Sequence, residues 1–64
     1  MSTLEKTYYE RESHLDRMFK KERTISRIIA SGRRISSRII AEYEEMGRTL
    51  LALTNAIKNL ESNA

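Results

Sequence analysis

An apolar residue returns every three or four positions along the chain from Leu4 to Leu60. Read as a heptad repeat with position a at Tyr8 and position d at Leu4, the pattern fills all but four of its seventeen a and d positions with apolar residues. The four exceptions are Arg11, Glu22, Gly32 and Ser36. A 3.5-residue repeat produces a helix with one apolar seam, which another helix must cover. The pattern therefore predicts an all-α protein built by pairing helices.

The apolar a and d side chains are the residues expected to contact a partner helix. They are Leu15, Met18, Ile25, Ile29, Ile39, Tyr43, Met46, Leu50, Leu53, Ile57 and Leu60. Further apolar residues flank this seam, with Phe19 and Ile40 at position e and Ile28 and Ile35 at position g. A stripe of this width favours three or four helices in contact rather than two.

The middle of the chain decides between two topologies. Gly32 predicts a turn near residues 31–34, because glycine adopts a left-handed backbone at little cost. Such a turn would divide a single helical domain, residues 1–64, into two helices of nearly equal length. The heptad phase, however, is the same before and after Gly32, which favours one continuous helix. At the N-terminus, Ser2 and Glu5 match a capping box and predict that the first helix starts at about Thr3.

The distribution of charge favours the turn. The central segment, residues 17–38, has a net charge of +7, whereas residues 1–16 and 39–64 each have a net charge of −2. Folding at Gly32 would gather the basic residues at the tip of a hairpin, and two hairpins packed antiparallel would then set opposite charges side by side. We therefore predict a helical hairpin that dimerises into an antiparallel four-helix bundle. The alternative is a long continuous coiled-coil helix in a multi-helix bundle.

Composition gives no support to catalysis, a cofactor or a metal site. The chain has no Cys and a single His, His14, which is expected to be solvated at position g beside the seam. One His without thiolates cannot form a zinc site in one chain. We find neither a glycine-rich phosphate loop nor a nucleophile motif, so we expect no enzyme. The apolar runs are far shorter than the roughly 20 residues of a membrane span, and the N-terminus is unlike a signal peptide, so we expect a cytoplasmic protein.

The expected function is therefore that of a non-enzymatic protein–protein interaction module: an adaptor, chaperone or assembly subunit. Its seam would pair with a second copy or with a partner helical protein. The alternative is a nucleic-acid-binding hairpin that uses the basic segment 17–38, because arginine pairs well with phosphate. The residues expected at such a contact are Lys20, Arg27, Arg33, Arg34 and Arg38.

Two resemblances add to this reading. Residues 41–53, with the sequence AEYEEMGRTLLAL, are similar to SNARE-type coiled-coil segments, and this resemblance implies a second alternative function as a SNARE-like coiled coil. The chain contains no Gln, so the central Gln of many such segments is missing. In size and hairpin plan the chain also resembles small plasmid-encoded helical hairpins that dimerise and bind RNA loops, although no motif matches.

Overall fold

Two long helices make up nearly all of the chain. The computed structural model describes residues 2–63, with helix α1 at Thr3–Ala30 and helix α2 at Ser37–Ser62. The two helices pack against each other in antiparallel directions and form a hairpin of 49 × 17 × 13 Å. The predicted all-α helical hairpin is therefore confirmed. The alternative of one continuous helix, which would be about 90 Å long, is wrong.

Serine side chains start both helices. The Ser2 hydroxyl oxygen accepts a hydrogen bond from the Glu5 backbone N–H at 3.2 Å, which confirms the predicted start of α1. In the same way, the Ser36 hydroxyl oxygen accepts from the Ile39 backbone N–H at 3.2 Å and caps α2. Each cap satisfies one of the backbone donors that a helix leaves unpaired at its N-terminus.

The loop between the helices, residues 31–36, contains a glycine in the left-handed region at its second position. Gly32 has a φ of 76°, and its N–H donates to the Ile29 carbonyl oxygen at 3.0 Å. The Arg33 N–H donates to the Ile28 carbonyl oxygen at 3.2 Å. These two bonds form a Schellman motif, which satisfies carbonyl groups at the end of α1 and stops the helix. The turn predicted from Gly32 is therefore present.

The interior of the hairpin is thin, and the two helices contribute to it differently. Only three described residues are buried, namely His14, Met18 and Ile57. Helix α2 turns its a and d positions towards α1, as the repeat predicts, but α1 packs through its d and g positions. The d and g residues of α1, all half-buried or buried, are Leu4, Thr7, Arg11, His14, Met18, Lys21, Ile25 and Ile28. As a result, Ile29 at position a of α1 is exposed.

Candidate functional site

The contacts between the helices show that the hairpin has two chemically different sides. At one edge of the seam, Lys21 Nζ and Glu42 Oε2, both at position g, lie 2.6 Å apart. At the opposite edge, the Tyr8 hydroxyl at position a donates to Glu61 at position e, with 3.0 Å between the oxygens. Helical positions a, e and b therefore lie towards one side of the hairpin, and positions c, f and g lie towards the other. We call these the a/e/b side and the c/f/g side.

His14 joins the helices at the g edge. The residue is 7% exposed, and Nε2 donates to the Met46 carbonyl oxygen at 2.8 Å. Because a carbonyl oxygen can only accept, the Nε2 atom carries a proton. The expectation that His14 is solvated is wrong: it is a buried cross-link between α1 and the backbone of α2.

Glu42 is shared by two cations at the same edge. Besides Lys21 on the opposite helix, Arg38 Nε lies 3.2 Å from the second carboxylate oxygen, Oε1. The hydrogen bond and charge of Lys21 hold the pKa of the Glu42 carboxyl below its ordinary value, and Arg38 adds to this effect. The cluster ties one helix to the other near the hairpin tip.

Two tyrosine–carboxylate pairs hold the a/e/b edge. The hydroxyl of Tyr43 donates to Glu22, as that of Tyr8 does to Glu61. In each pair the hydrogen bond to the carboxylate raises the pKa of the tyrosine hydroxyl, because ionisation would place two negative charges side by side. Both pairs join α1 to α2, so this edge is stabilised by polar contacts as well.

Arg11 occupies a d position inside the seam. Its guanidinium carbon lies 5.5 Å from the centroid of the Tyr8 ring, which is within range of a cation–π interaction. Its Nε atom is buried and has no hydrogen-bond partner within residues 2–63. The seam therefore contains a charged group where the repeat would place an apolar one.

Four of the five large apolar side chains that are exposed in residues 2–63 lie on the a/e/b side. They belong to Phe19, Ile29, Ile40 and Leu51 and are between 45% and 62% exposed. The fifth, Tyr9, lines an open groove with residues of the c/f/g side. In the helices this side has six carboxylates and two cations, a net charge of −4. The carboxylates are Glu5, Glu12, Asp16, Glu22, Glu44 and Glu61, and the cations are Arg23 and Lys58. This side is both apolar and acidic.

The c/f/g side is basic. In the helices it has seven cations and three carboxylates, a net charge of +4, and the loop adds Arg33 and Arg34. The seven cations are Lys6, Arg17, Lys20, Lys21, Arg27, Arg38 and Arg48, and the three carboxylates are Glu10, Glu42 and Glu45. The structure therefore brings the residues predicted for a nucleic-acid contact to this side and its adjoining loop.

These predicted contact residues are not equivalent. Lys20 Nζ lies 3.0 Å from Asp16 Oδ2, and Arg38 pairs with Glu42. By contrast, Arg27, Arg33 and Arg34 form no ion pair with any described residue. Sequence reasoning missed Arg17 as a contact residue. Its heptad position, c, and its spacing of ten residues from Arg27 at position f could have shown that both lie on the same side of α1.

The residues predicted to contact a partner helix are, in this hairpin, used between α1 and α2. All of them except Ile29 are half-buried or buried. Whether any of them contacts a second protein stays a prediction. The exposed Ile29 is the member of the set that the hairpin leaves available.

The two sides of the hairpin are the features of this molecule that bear on its function. No protein-family model, curated protein or solved structure matches the chain. Residues 2–63 contain no group of His, Asp and Glu side chains arranged to hold a metal ion. Within the same residues, neither helix has the length and apolar character needed to cross a membrane.

Proposed function

We propose that the hairpin is a non-enzymatic helical interaction module, an adaptor, chaperone or assembly subunit of the cytoplasm. Its first partner is a second copy, which packs on the a/e/b side to give an antiparallel four-helix bundle. The observation that carries this proposal is the collection of exposed apolar side chains on that one side. Exposed apolar surface concentrated on one side is typical of an interaction site, whereas scattered residues would not be.

The surface area of the hairpin supports the need for a partner. It exposes 5093 Å² at a mass of 7.5 kDa. A compact monomer of this mass would expose about 4,200 Å². The excess arises because each helix has only one neighbour, and a second hairpin would give each helix another.

The dimensions of the hairpin suit such a dimer. Its broad face of 49 by 17 Å corresponds to about 800 Å², which is the area per partner in a stable interface of standard size. The face is therefore large enough for a specific dimer.

Charge supports the antiparallel orientation. On the a/e/b side the open-end half has a net charge of −3, from Glu5, Glu12, Asp16, Glu61 and Lys58, whereas the tip half has a net charge of −1, from Glu22, Glu44 and Arg23. Antiparallel packing keeps the two most acidic ends apart and brings the Arg23 of each copy towards the open-end carboxylates of the other. Exposed pairs of this kind are worth about 0.2–1 kcal/mol each, enough to favour one orientation over another.

The test is the mass of the protein in solution, measured by sedimentation equilibrium over a wide range of concentration. We expect a dimer, and we expect Phe19→Asp to give a monomer that keeps its helical circular dichroism, because Phe19 is 57% exposed in the hairpin. The control is Ala52→Asp, which adds the same charge at an exposed c position and should leave the dimer intact.

A wild-type chain that stays monomeric at all concentrations would contradict the proposed dimer. So would a Phe19→Asp variant that dimerises as tightly as the wild type. If Phe19→Asp loses its helicity, Ile40→Asp provides the same test of the dimer. Ile40 lies near the N-terminus of α2, where an acidic residue is compatible with the helix.

A further inference from the structure

We infer that the c/f/g side and the adjoining loop form a binding surface for the phosphate backbone of a nucleic acid. This surface lies on the side of the hairpin opposite the one assigned to the second copy. The inference therefore does not depend on the proposed dimer.

The first support is the composition of the hairpin tip. From residue 23 to residue 41 the chain contains no Asp or Glu, and all five of its cations are Arg. Four of them, Arg27, Arg33, Arg34 and Arg38, lie on the c/f/g side or in the loop, and Arg23 lies on the a/e/b side. Every Lys of the chain lies outside this range. The planar guanidinium group pairs with phosphate through two parallel hydrogen bonds, and it gives up its hydration more readily than an ammonium group does.

The second support is the availability of these guanidinium groups. Among residues 2–63, ion pairs engage Lys20, Lys21, Arg38 and Arg48, but not Arg17, Arg27, Arg33 or Arg34. The first turn of α2 also lacks an acidic residue, so the positive end of its dipole adds to the field of the arginines. Within the described part of the chain, a carboxylate therefore compensates Arg38 at the tip but not Arg27, Arg33 or Arg34.

The third support is the fixed position of the loop. Arg33 Nε donates to the Ser31 hydroxyl oxygen at 2.9 Å, and the Ser31 hydroxyl donates to the Ile28 carbonyl oxygen at 2.7 Å. Together with the Schellman motif, these bonds hold Arg33 in place while its terminal nitrogens stay free to donate. A ligand would therefore bind an arginine that is already ordered, at a smaller entropic cost.

The fourth support is the extent of the surface. Arg17 and Arg27 are ten residues apart on α1, or about 15 Å along the helix, and the loop arginines lie beyond Arg27. Arg17 also lines an open groove of about 260 Å³ together with Lys20, Lys21, Thr24 and Met46. Phosphates rise by about 3.4 Å per nucleotide along each strand of a duplex, so this surface can contact several phosphates at once.

An anionic membrane is the other polyanion to consider, and the distribution of apolar residues disfavours it. A helix that inserts into a membrane interface has apolar side chains on the face that enters the lipid, with cations beside them. Here the apex of the hairpin, residues 31–34, is Ser-Gly-Arg-Arg, and the exposed Ile29 and Ile40 lie on the a/e/b side. The arginine surface is accompanied by hydroxyl groups, which are suited to contacts with phosphate and sugar.

The test measures binding of the full chain to short fluorescein-labelled duplex DNA, duplex RNA and single-stranded RNA by fluorescence anisotropy. We expect binding whose affinity falls with salt, with a slope of log K against log salt of about −3 for a duplex, as three to four phosphate contacts would give. The three probes show which form of nucleic acid is preferred, and binding to any of them supports the inference.

Charge-neutralising variants locate the contact. Arg33→Gln with Arg34→Gln should lower the magnitude of the slope by about 2, because two phosphate contacts are lost. The open-end control is Lys58→Gln, which removes one charge from the a/e/b side and should leave the slope unchanged. Arg27→Gln should lower it by about 1 without altering the loop.

Three outcomes would overturn the inference. One is the absence of binding to all three probes at low salt. Another is binding that the loop variant does not weaken while the open-end variant does. The third is binding to phosphatidylserine vesicles without binding to any of the nucleic acids, which would assign the surface to a membrane instead.

Discussion

Ile29 and Ile57 are the same residue at the same heptad position, one in each helix, and the fold treats them in opposite ways. Ile57 in α2 is 2% exposed, whereas Ile29 in α1 is 61% exposed. Both belong to the seam that the repeat predicts. The comparison shows that a heptad pattern identifies the apolar stripe of a helix without specifying which part of the stripe its nearest neighbour covers.

The difference follows from what each helix offers at the interface. Helix α2 presents a mainly apolar surface that includes Leu50, Leu53, Ile57 and Leu60. Helix α1 packs against it through its d and g positions, where polar side chains form hydrogen bonds to α2. His14, for example, donates to the Met46 carbonyl oxygen. These contacts turn α1 about its own axis and leave Ile29 at position a and Phe19 at position e on the outside.

Truncating the two isoleucines should give the largest change in stability and tests this comparison directly. Ile57→Ala should destabilise the hairpin by about 2–5 kcal/mol, because it removes a buried side chain and leaves a cavity. Ile29→Ala should cost no more than about 0.5 kcal/mol in the isolated hairpin, because the side chain is already exposed. Urea unfolding followed by circular dichroism at low protein concentration measures both.

Equal losses for the two variants would contradict the difference in burial. If instead the cost of Ile29→Ala is small in dilute protein and grows with protein concentration, a second hairpin covers Ile29. That dependence would sharpen the comparison, since it would separate contacts within the hairpin from contacts between copies.

The two glycines give effects of intermediate size and opposite sign. Gly32→Ala should destabilise the hairpin by about 1–2 kcal/mol, because a side chain at a φ of 76° is strained. Gly47 lies inside α2, and a Cβ built there meets nothing within 4 Å. Gly47→Ala should therefore stabilise the hairpin by about 0.5–1 kcal/mol, since alanine favours helix. Urea midpoints at low protein concentration distinguish the two signs.

The Gly47→Ala substitution also distinguishes the stability of the hairpin from the stability of the dimer. It occupies an e position on the a/e/b side, so an added methyl group would face a second hairpin. A Gly47→Ala variant that is more stable as a hairpin but weaker as a dimer would indicate close approach of the partner at this point. A variant improved in both respects would place the partner contact elsewhere on that side.

The smallest effect concerns the g edge and depends on pH. Because the pKa of Glu42 is lowered in the folded hairpin, its contribution to stability is present above its ordinary pKa of 4.5 and is lost as the pH falls through the lower folded value. Glu42→Gln should therefore reduce stability at neutral pH and flatten the decline of stability in acid. Thermal melts of both proteins between neutral and acidic pH measure this, and parallel curves would contradict the role given to Glu42.

Much of the fold could be predicted from the sequence, because its signals are local. Gly32 marked the turn and Ser2 marked the first helix start through backbone conformation and capping, and both depend on only a few neighbouring residues. The constant heptad phase was misleading because a loop places no requirement on it, and the two helices in fact pack through different positions, d and g in α1 but a and d in α2. Local signals and the charge blocks together favoured the hairpin.

The surfaces were harder to predict for a physical reason. The rotation of α1 depends on contacts such as the one between His14 and a backbone carbonyl of α2, and a backbone acceptor is present at every residue and leaves no mark in a sequence. The exposure of Ile29 follows from that rotation. The separation of apolar and basic sides becomes visible only when the antiparallel pairing fixes which heptad positions share an edge.

The Schellman turn at Gly32 has a consequence for how this protein could change. The hydrogen bonds of this turn join main-chain atoms only, and the turn depends on the left-handed conformation of Gly32. The hydroxyl of Ser36 then caps the next helix. Neither device uses the side chains of Arg33 or Arg34. The tip is thus a place where sequence can vary with little effect on the fold, so its chemical specificity could be exchanged by substitution, and the hairpin could serve as a scaffold for displaying other short recognition sequences.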